Sequence, residues 1–160
     1  MNELVRAAQR GDTMAMNELL DLLTPYVTRI CGPIALADGP DAAQEALIAI
    51  FKGLRGLREP AALYGWARAI AVREAVRVAR RSRHTVEFED DLPSPTDLEQ
   101  AADIRDLLAR LSPEHRAVLM LRDVEGLDER AAAELLKVPV GTVKSRLFRA
   151  RDNFRKAWSS

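Results

Sequence analysis

Apolar residues recur at three- and four-residue intervals along nearly the whole chain, which is the period of a helix, and strand-like alternation is absent. The first run covers about 2–9 and ends at Gly11. Asp12 is placed to cap the next helix, whose inward stripe reads Met16, Leu19, Leu23, Val27, Ile30 and Ile34. Pro25 falls inside that stripe and predicts a kink, because proline removes an internal hydrogen bond. Asp38-Gly39-Pro40 opens a third helix with Ala43, Leu47, Ile50, Phe51 and Leu54 facing inward, stopped near Gly56. Pro60 suits the first turn of a fourth helix reaching about Arg83. From His84 to Pro95 the period is lost, and two prolines and four acids mark a linker. Thr96, with Glu99 three residues on, has the form of a capping box. The helix it starts should bury Leu98, Ala101, Ile104, Leu108 and Leu111. Ser112-Pro113 opens a helix that Gly126 ends, and two more helices follow over about 128–136 and 140–157. The expected fold is all-α, with two small helical domains, 1–83 and 96–160, joined by a flexible acidic linker at 84–95.

Composition agrees with helix: Ala, Leu and Arg enter helices at little cost, and only 5% of the 160 residues are aromatic. Cys31 is the one cysteine, which excludes an internal disulfide and suits a reducing cytoplasm. Glu3, Arg6, Arg10 and Asp12 break up any signal-like apolar run at the start, and no stretch reaches the roughly 18 apolar residues of a membrane span. A cytoplasmic protein with no membrane insertion is expected.

The formal net charge of zero conceals a pattern. Segment 68–83 sets Arg68, Arg73, Arg77, Arg80, Arg81 and Arg83 against Glu74 alone, and 137–156 sets seven cations against Asp152. Between them, 86–106 carries eight acids and only Arg105 in opposition. Two basic patches flanking an acidic one point to a nucleic-acid partner.

The segment LDERAAAELLKVPVGTVKSRLFRAR, residues 127–151, has the plan of a helix-turn-helix: a short helix, a tight turn and a longer basic helix. Val140, Val143, Leu147, Ala150 and Phe154 share one face of the second helix, while Lys144, Ser145, Phe148, Arg149 and Asp152 lie opposite. The small Ala133 permits close helix approach, and Thr142 is placed to cap. Phe148 has no packing reason on a basic face, but suits a thymine methyl or base edge, with Lys144 and Arg149 reaching base acceptors or phosphates. A helical hairpin with a solvated charged face is the plainer alternative.

In the first domain, Asp41, Gln44 and Glu45 share an exposed side of the third helix, where acids also stabilise the helix dipole. On the fourth helix, Leu63, Trp66, Ala67 and Ile70 form an apolar stripe that Arg73, Arg77 and Arg81 continue. That helix is expected to begin in the core and run out of it, offering cations to a phosphate backbone. A solvated arginine run is the alternative there.

VPVGTVKSRLFRAR and LSPEHRAVLMLRDVEGL resemble sigma domain four of the extracytoplasmic-function (ECF) group of bacterial RNA polymerase sigma factors. The resemblance implies readout of the promoter's minus-thirty-five element by Lys144, Ser145, Phe148 and Arg149, with Arg146 and Arg151 on phosphates and Thr142 among the residues that bind this element. Lys137 stands where that family usually has glycine at the turn, which predicts mild backbone strain. DAAQEALIAIF, residues 41–51, resembles the helix of sigma domain two that grips the polymerase clamp, which implies polymerase contact by Asp41, Gln44 and Glu45. WARAIAVR and the arginines after it resemble the segment that melts and reads the minus-ten element, implying roles for Trp66, Arg73, Arg77, Arg80 and Arg81. The family often has asparagine at the position of Arg73, and the loop at 57–63 is short and aliphatic, so base-specific contacts do not carry over there. Core RNA polymerase and promoter DNA are the implied partners, and the resemblance leaves room for an anti-sigma factor.

Two other classes compete. Against an enzyme, His84, His115 and Cys31 form no metal-ligand spacing and no nucleophile–base pair, and no glycine-rich phosphate loop occurs, so neither catalytic residues nor a cofactor are expected. A stand-alone helix-turn-helix regulator remains, but the arginine helix gives it a second DNA-binding surface for which a sensor domain has no use.

Overall fold

A computed structural model describes residues 1–86 and 100–159 of the chain, and every regular element among them is helical. The N-terminal region consists of α1 (Asn2–Gln9), α2 (Thr13–Ala35), α3 (Gly39–Gly53) and α4 (Leu63–Val86), with short 3-10 turns at Leu36–Asp38, Leu54–Gly56 and Pro60–Ala62. The C-terminal region consists of α5 (Gln100–Ala109), α6 (Pro113–Leu119), a π-helical turn (Met120–Val124), α7 (Glu129–Leu136) and α8 (Val140–Ser159). The proposed capping box at 96–99 and most of the acidic linker lie outside the described residues; α4 itself continues to Val86, beyond the expected end at Arg83.

Local chemistry sets the helix ends. Gly11 takes a φ of +96°, and the Asp12 carboxylate accepts from the Ala15 amide at 3.1 Å, satisfying one of the unpaired donors of α2. Pro25 and Pro33 are both carried inside α2. Gln9 ties α1 down by donating to the carbonyls of Leu54 (3.0 Å) and Leu57 (2.7 Å). Ser112 Oγ caps α6 by accepting from His115 N at 3.2 Å, and Gly126 turns the chain at φ +74°. Lys137 takes the left-handed conformation (φ 57°, ψ 45°) expected of the turn residue.

Leu19, Leu23, Val27, Ile30 and Ile34 of α2 are fully buried between α3 and α4. The α2–α3 stretch is apolar enough by length and composition to cross a membrane (mean hydropathy 1.2 over 18 residues), contrary to expectation, but these buried side chains make it the core of a helical bundle. Other inward assignments shift. Phe51 is 53% exposed, while Ala42, Ala46 and Ile50 carry the buried face of α3. In α5, Ile104 is exposed, and Leu107 is buried in its place. The α4 helix does not run out of the core: Ala71, Val72, Ala75, Val78 and Ala79 are buried along it, and Arg73, Arg77, Arg80 and Arg81 project from its other side.

The two regions pack against each other, α6 meeting α2 and α4, and their buried residues form one continuous cluster. Arg116, only 7% exposed, is the organising residue. Its guanidinium donates to the carbonyls of Leu108 (3.1 Å) and Leu111 in its own region, and of Ile34 (2.8 Å) across the junction. Ile34 lies in the last turn of α2, just before the sharp turn at Leu36 (φ 56°), so Arg116 answers a carbonyl that the ending helix leaves without a partner. A cation at a helix C-terminus also complements the dipole. Tyr26 Oη donates to Glu125 Oε1 at 2.7 Å, and Arg68 lies 3.5 Å from the same carboxylate. Burial and donation to Glu125 push the Tyr26 phenol up to about 12. These contacts bridge the two regions.

Candidate nucleic-acid interface

The second helix of the helix-turn-helix, α8, is anchored through Val143, Leu147 and Ala150, all buried against α6 and α7. On α7, Ala132 and Ala133 are buried and bring the two helices together, while the Asp128 carboxylate caps α7 by accepting from Ala131 N at 2.7 Å. Opposite the anchored face, Lys144, Ser145, Phe148 and Arg149 are exposed, Phe148 by 74%. Val140 is 37% exposed and Phe154 half-buried, so the ends of the expected apolar stripe fray. Thr142 does not cap: α8 opens at Val140, and the Thr142 amide donates to the Pro139 carbonyl at 3.0 Å. Lys144 leans toward Glu129 at 3.8 Å. Arg146 is half-buried near Glu114 and His115. Arg151 is turned to Asp123 of the π-helical turn at 2.5 Å, so it braces α8 against its own domain.

His115 sits beneath this helix. Burial holds its pKa below the ordinary imidazole value; Glu114 opposes that shift, while the cations Arg146 and Arg149 add to it. A neutral imidazole at neutral pH is the consequence. Burial raises the Glu114 carboxyl, but its own backbone amide and Arg80 outweigh that and hold it below the usual range.

On α4, Trp66 is half-buried over Gly53 of α3, where an added Cβ would meet its ring at 3.3 Å, so the indole is committed to packing. Arg73, Arg77, Arg80 and Arg81 are exposed. The structure joins two surfaces that the sequence presents separately. Arg77 pairs with Glu45 (2.9 Å) and with Glu74 (2.5 Å), and Arg81 pairs with Glu45 (3.1 Å) and Asp41 (3.4 Å). The acids of α3 and the cations of α4 thus form one half-exposed network. Arg80 reaches across the junction to Glu114 of α6.

Gln44 continues outward along α3 to Ile48 (47% exposed) and Phe51, a ridge the sequence analysis missed. Their spacing from Gln44, four and seven residues, is the available signal for it. Among the described residues no cluster of His, Cys, Asp and Glu is arranged to hold a metal.

Residues 101–153 match the family model described as sigma-70, region 4. The chain is 33% identical to the RNA polymerase sigma-H factor of Pseudomonas aeruginosa, with 97% of this chain and 92% of that protein aligned. It is 31% identical to the ECF RNA polymerase sigma-E factor of Escherichia coli (strain K12), over 93% of this chain and 89% of the relative. Its fold is similar to the sigma factor RpoE of Bartonella quintana, solved with the anti-sigma factor NepR (TM-score 0.68, 20% identity, 89% of this chain and 96% of that one). CnrH, solved with the cytosolic domain of CnrY, is similar at a TM-score of 0.63 and 20% identity, covering 98% of this chain and 95% of that one.

Proposed function

Because the chain belongs to the extracytoplasmic-function group of RNA polymerase sigma factors, we propose that it binds core RNA polymerase in the cytoplasm and directs promoter-specific initiation without catalysing a reaction itself. The work divides between residues 1–83 and 96–160. In the C-terminal part, Lys144, Ser145, Phe148 and Arg149 read base edges of the minus-thirty-five element in the major groove, with Thr142 and Arg146 near the flanking phosphates. Arg151 reaches phosphate only by giving up Asp123. The observation that carries this reading is the division of α8, with Val143, Leu147 and Ala150 buried on one side and a solvated aromatic among cations on the other. Nothing in the fold uses Phe148, so its place on a basic helix is explained by a partner with both apolar and charged groups.

In the N-terminal part, Arg73, Arg77, Arg80 and Arg81 meet the backbone of the minus-ten region, and Trp66 positions α4 from within the core. Asp41, Gln44 and Glu45 hold the polymerase, and the ridge of Ile48 and Phe51 extends that surface with apolar area that a protein partner would cover. An anti-sigma protein is a further partner we infer, since NepR occupies that role with RpoE. Titrating labelled chain with core polymerase tests the assignment: Ile48→Asp should weaken binding at unchanged thermal stability, and an unchanged affinity would remove this ridge from the interface. A regulator acting alone would show no such saturable binding to core enzyme.

A further inference from the structure

The acids that α3 would offer to polymerase and the arginines that α4 would offer to DNA occupy each other in the free chain. Glu45 is the shared member. Its Oε2 accepts from Arg77 at 2.9 Å and its Oε1 from Arg81 at 3.1 Å. Its side chain is 28% exposed, against 58% for Asp41, so it turns toward α4 rather than to solvent. It stands one position beyond Gln44, about 100° round the helix from the ridge of Gln44, Ile48 and Phe51. Second carboxylates complete the network: Arg77 is also held by Glu74 of its own helix at 2.5 Å, and Arg81 by Asp41 at 3.4 Å.

A single carboxylate cannot serve a polymerase cation and both arginines at full strength, and an arginine paired with a carboxylate gains less from phosphate. Each outside contact is therefore made at the expense of the α3–α4 pairs, and whichever partner binds first removes a competitor of the second. The two binding events are linked, and by thermodynamic reciprocity each favours the other by the same factor. Partly exposed pairs of this kind shift an equilibrium by up to about fivefold each.

We propose that Glu45 is a positioning residue for the minus-ten contact: it holds Arg77 and Arg81 against α3 in the free chain, and passes both to phosphate when a polymerase cation takes its carboxylate. The proposal rests on the sigma-factor reading for its two partners, while the hold on the arginines is a property of the free chain.

Two titrations of the full chain test it. In the first, the free chain binds a mixed-sequence 30-base-pair duplex at several salt concentrations. Glu45→Gln keeps the shape of the side chain and removes its charge. It should raise affinity about threefold beyond Asp21→Asn, an equal change of net charge at an exposed position of α2. The salt slope should steepen by about one unit as arginine reaches phosphate. With Arg77→Ala and Arg81→Ala already in place, Glu45→Gln should gain no more than Asp21→Asn does. In the second titration, labelled chain binds core polymerase without DNA. Arg77→Ala with Arg81→Ala should strengthen that binding about threefold beyond Arg6→Ala with Arg10→Ala, the same loss of charge at exposed positions of α1, because Glu45 is released. Adding Glu45→Gln should abolish the gain. Equal gains from Glu45→Gln and Asp21→Asn would overturn the hold on the arginines. A polymerase affinity that does not rise in the double arginine variant would overturn the transfer, and Arg81→Ala alone decides that arm if the double variant fails to fold. A chain that bound no core polymerase at all would refute the sigma-factor reading instead, and the duplex titration would still decide what Glu45 holds.

Discussion

Replacing single residues around α8 separates reading from packing, since neighbouring positions differ sharply in burial. Leu147 is 4% exposed and Phe148 74% exposed. Leu147→Ala removes buried methyl groups and opens a cavity, at a cost of about 2–5 kcal/mol of stability. Phe148→Ala removes a ring already mostly in water. Full burial of such a side chain is worth about 1.5–3 kcal/mol, so the quarter that is covered amounts to less than about 1 kcal/mol. If the ring meets a thymine methyl or base edge, discrimination falls by about 1–3 kcal/mol, roughly tenfold to a hundredfold between matched and mismatched promoters. Arg149→Ala should also relax preference at one or two positions. Arg151→Ala should lower affinity for all sequences alike, because Arg151 lies off the reading face and gives up Asp123 to meet phosphate in the complex. The assay is a titration of the reconstituted polymerase on single-base variants of one promoter at several salt concentrations, beside thermal melts. Phe148→Ala should leave the salt slope unchanged, since no charge is lost. If Phe148→Ala and Arg149→Ala weaken every promoter variant by the same factor, base readout does not reside on this face.

Other consequences can be measured separately. Arg77→Ala should cost under about 1 kcal/mol of stability, because its pairs with Glu45 and Glu74 are half-exposed, yet should reduce the salt slope of promoter binding by about one unit. Phe51→Ala should weaken core-polymerase binding by more than about 1 kcal/mol with little change in melting temperature, given its 53% exposure. Cys31 is buried and its thiol is pushed up to about 12, chiefly by burial, so labelling by a thiol reagent at neutral pH should proceed only as fast as the chain opens or unfolds. His115 has a folded pKa below its unfolded value, so the native state binds fewer protons and stability should fall as pH drops from about 6.5 toward the lowered folded value. His115→Gln should flatten that slope, and a slope unaltered by the substitution would place its origin elsewhere.

Helix caps and periods were legible because they are local. Asp12 and Ser112 cap as their spacing requires, Gly11 and Gly126 turn with positive φ, and Lys137 takes the left-handed conformation despite its side chain. The split of α8 into an anchored and a solvated face was equally readable, since 3.6-residue periodicity sorts Val143 and Leu147 from Phe148 and Arg149. A period alone fixes a stripe only to within a residue or so at its edges, and Phe51, Ile104 and Val140 all lie at such edges. Contacts between distant segments have no periodic signature at all. Arg116 reads as one more charge in a helix, and only the fold places its guanidinium on a carbonyl 82 residues away. The pairing of Asp41 and Glu45 with Arg77 and Arg81 is of the same kind, because it depends on α3 lying beside α4.

The central claim, that this chain directs promoter-specific initiation, is tested most directly by run-off transcription from genomic promoter fragments using purified core polymerase free of any other sigma factor. Addition of the chain should produce transcripts from defined start sites, with protection of the template upstream around minus ten and minus thirty-five. If the core enzyme with this chain initiates no more selectively than the core enzyme alone, and transcripts appear only when another sigma factor is supplied, the chain is not acting as a sigma factor.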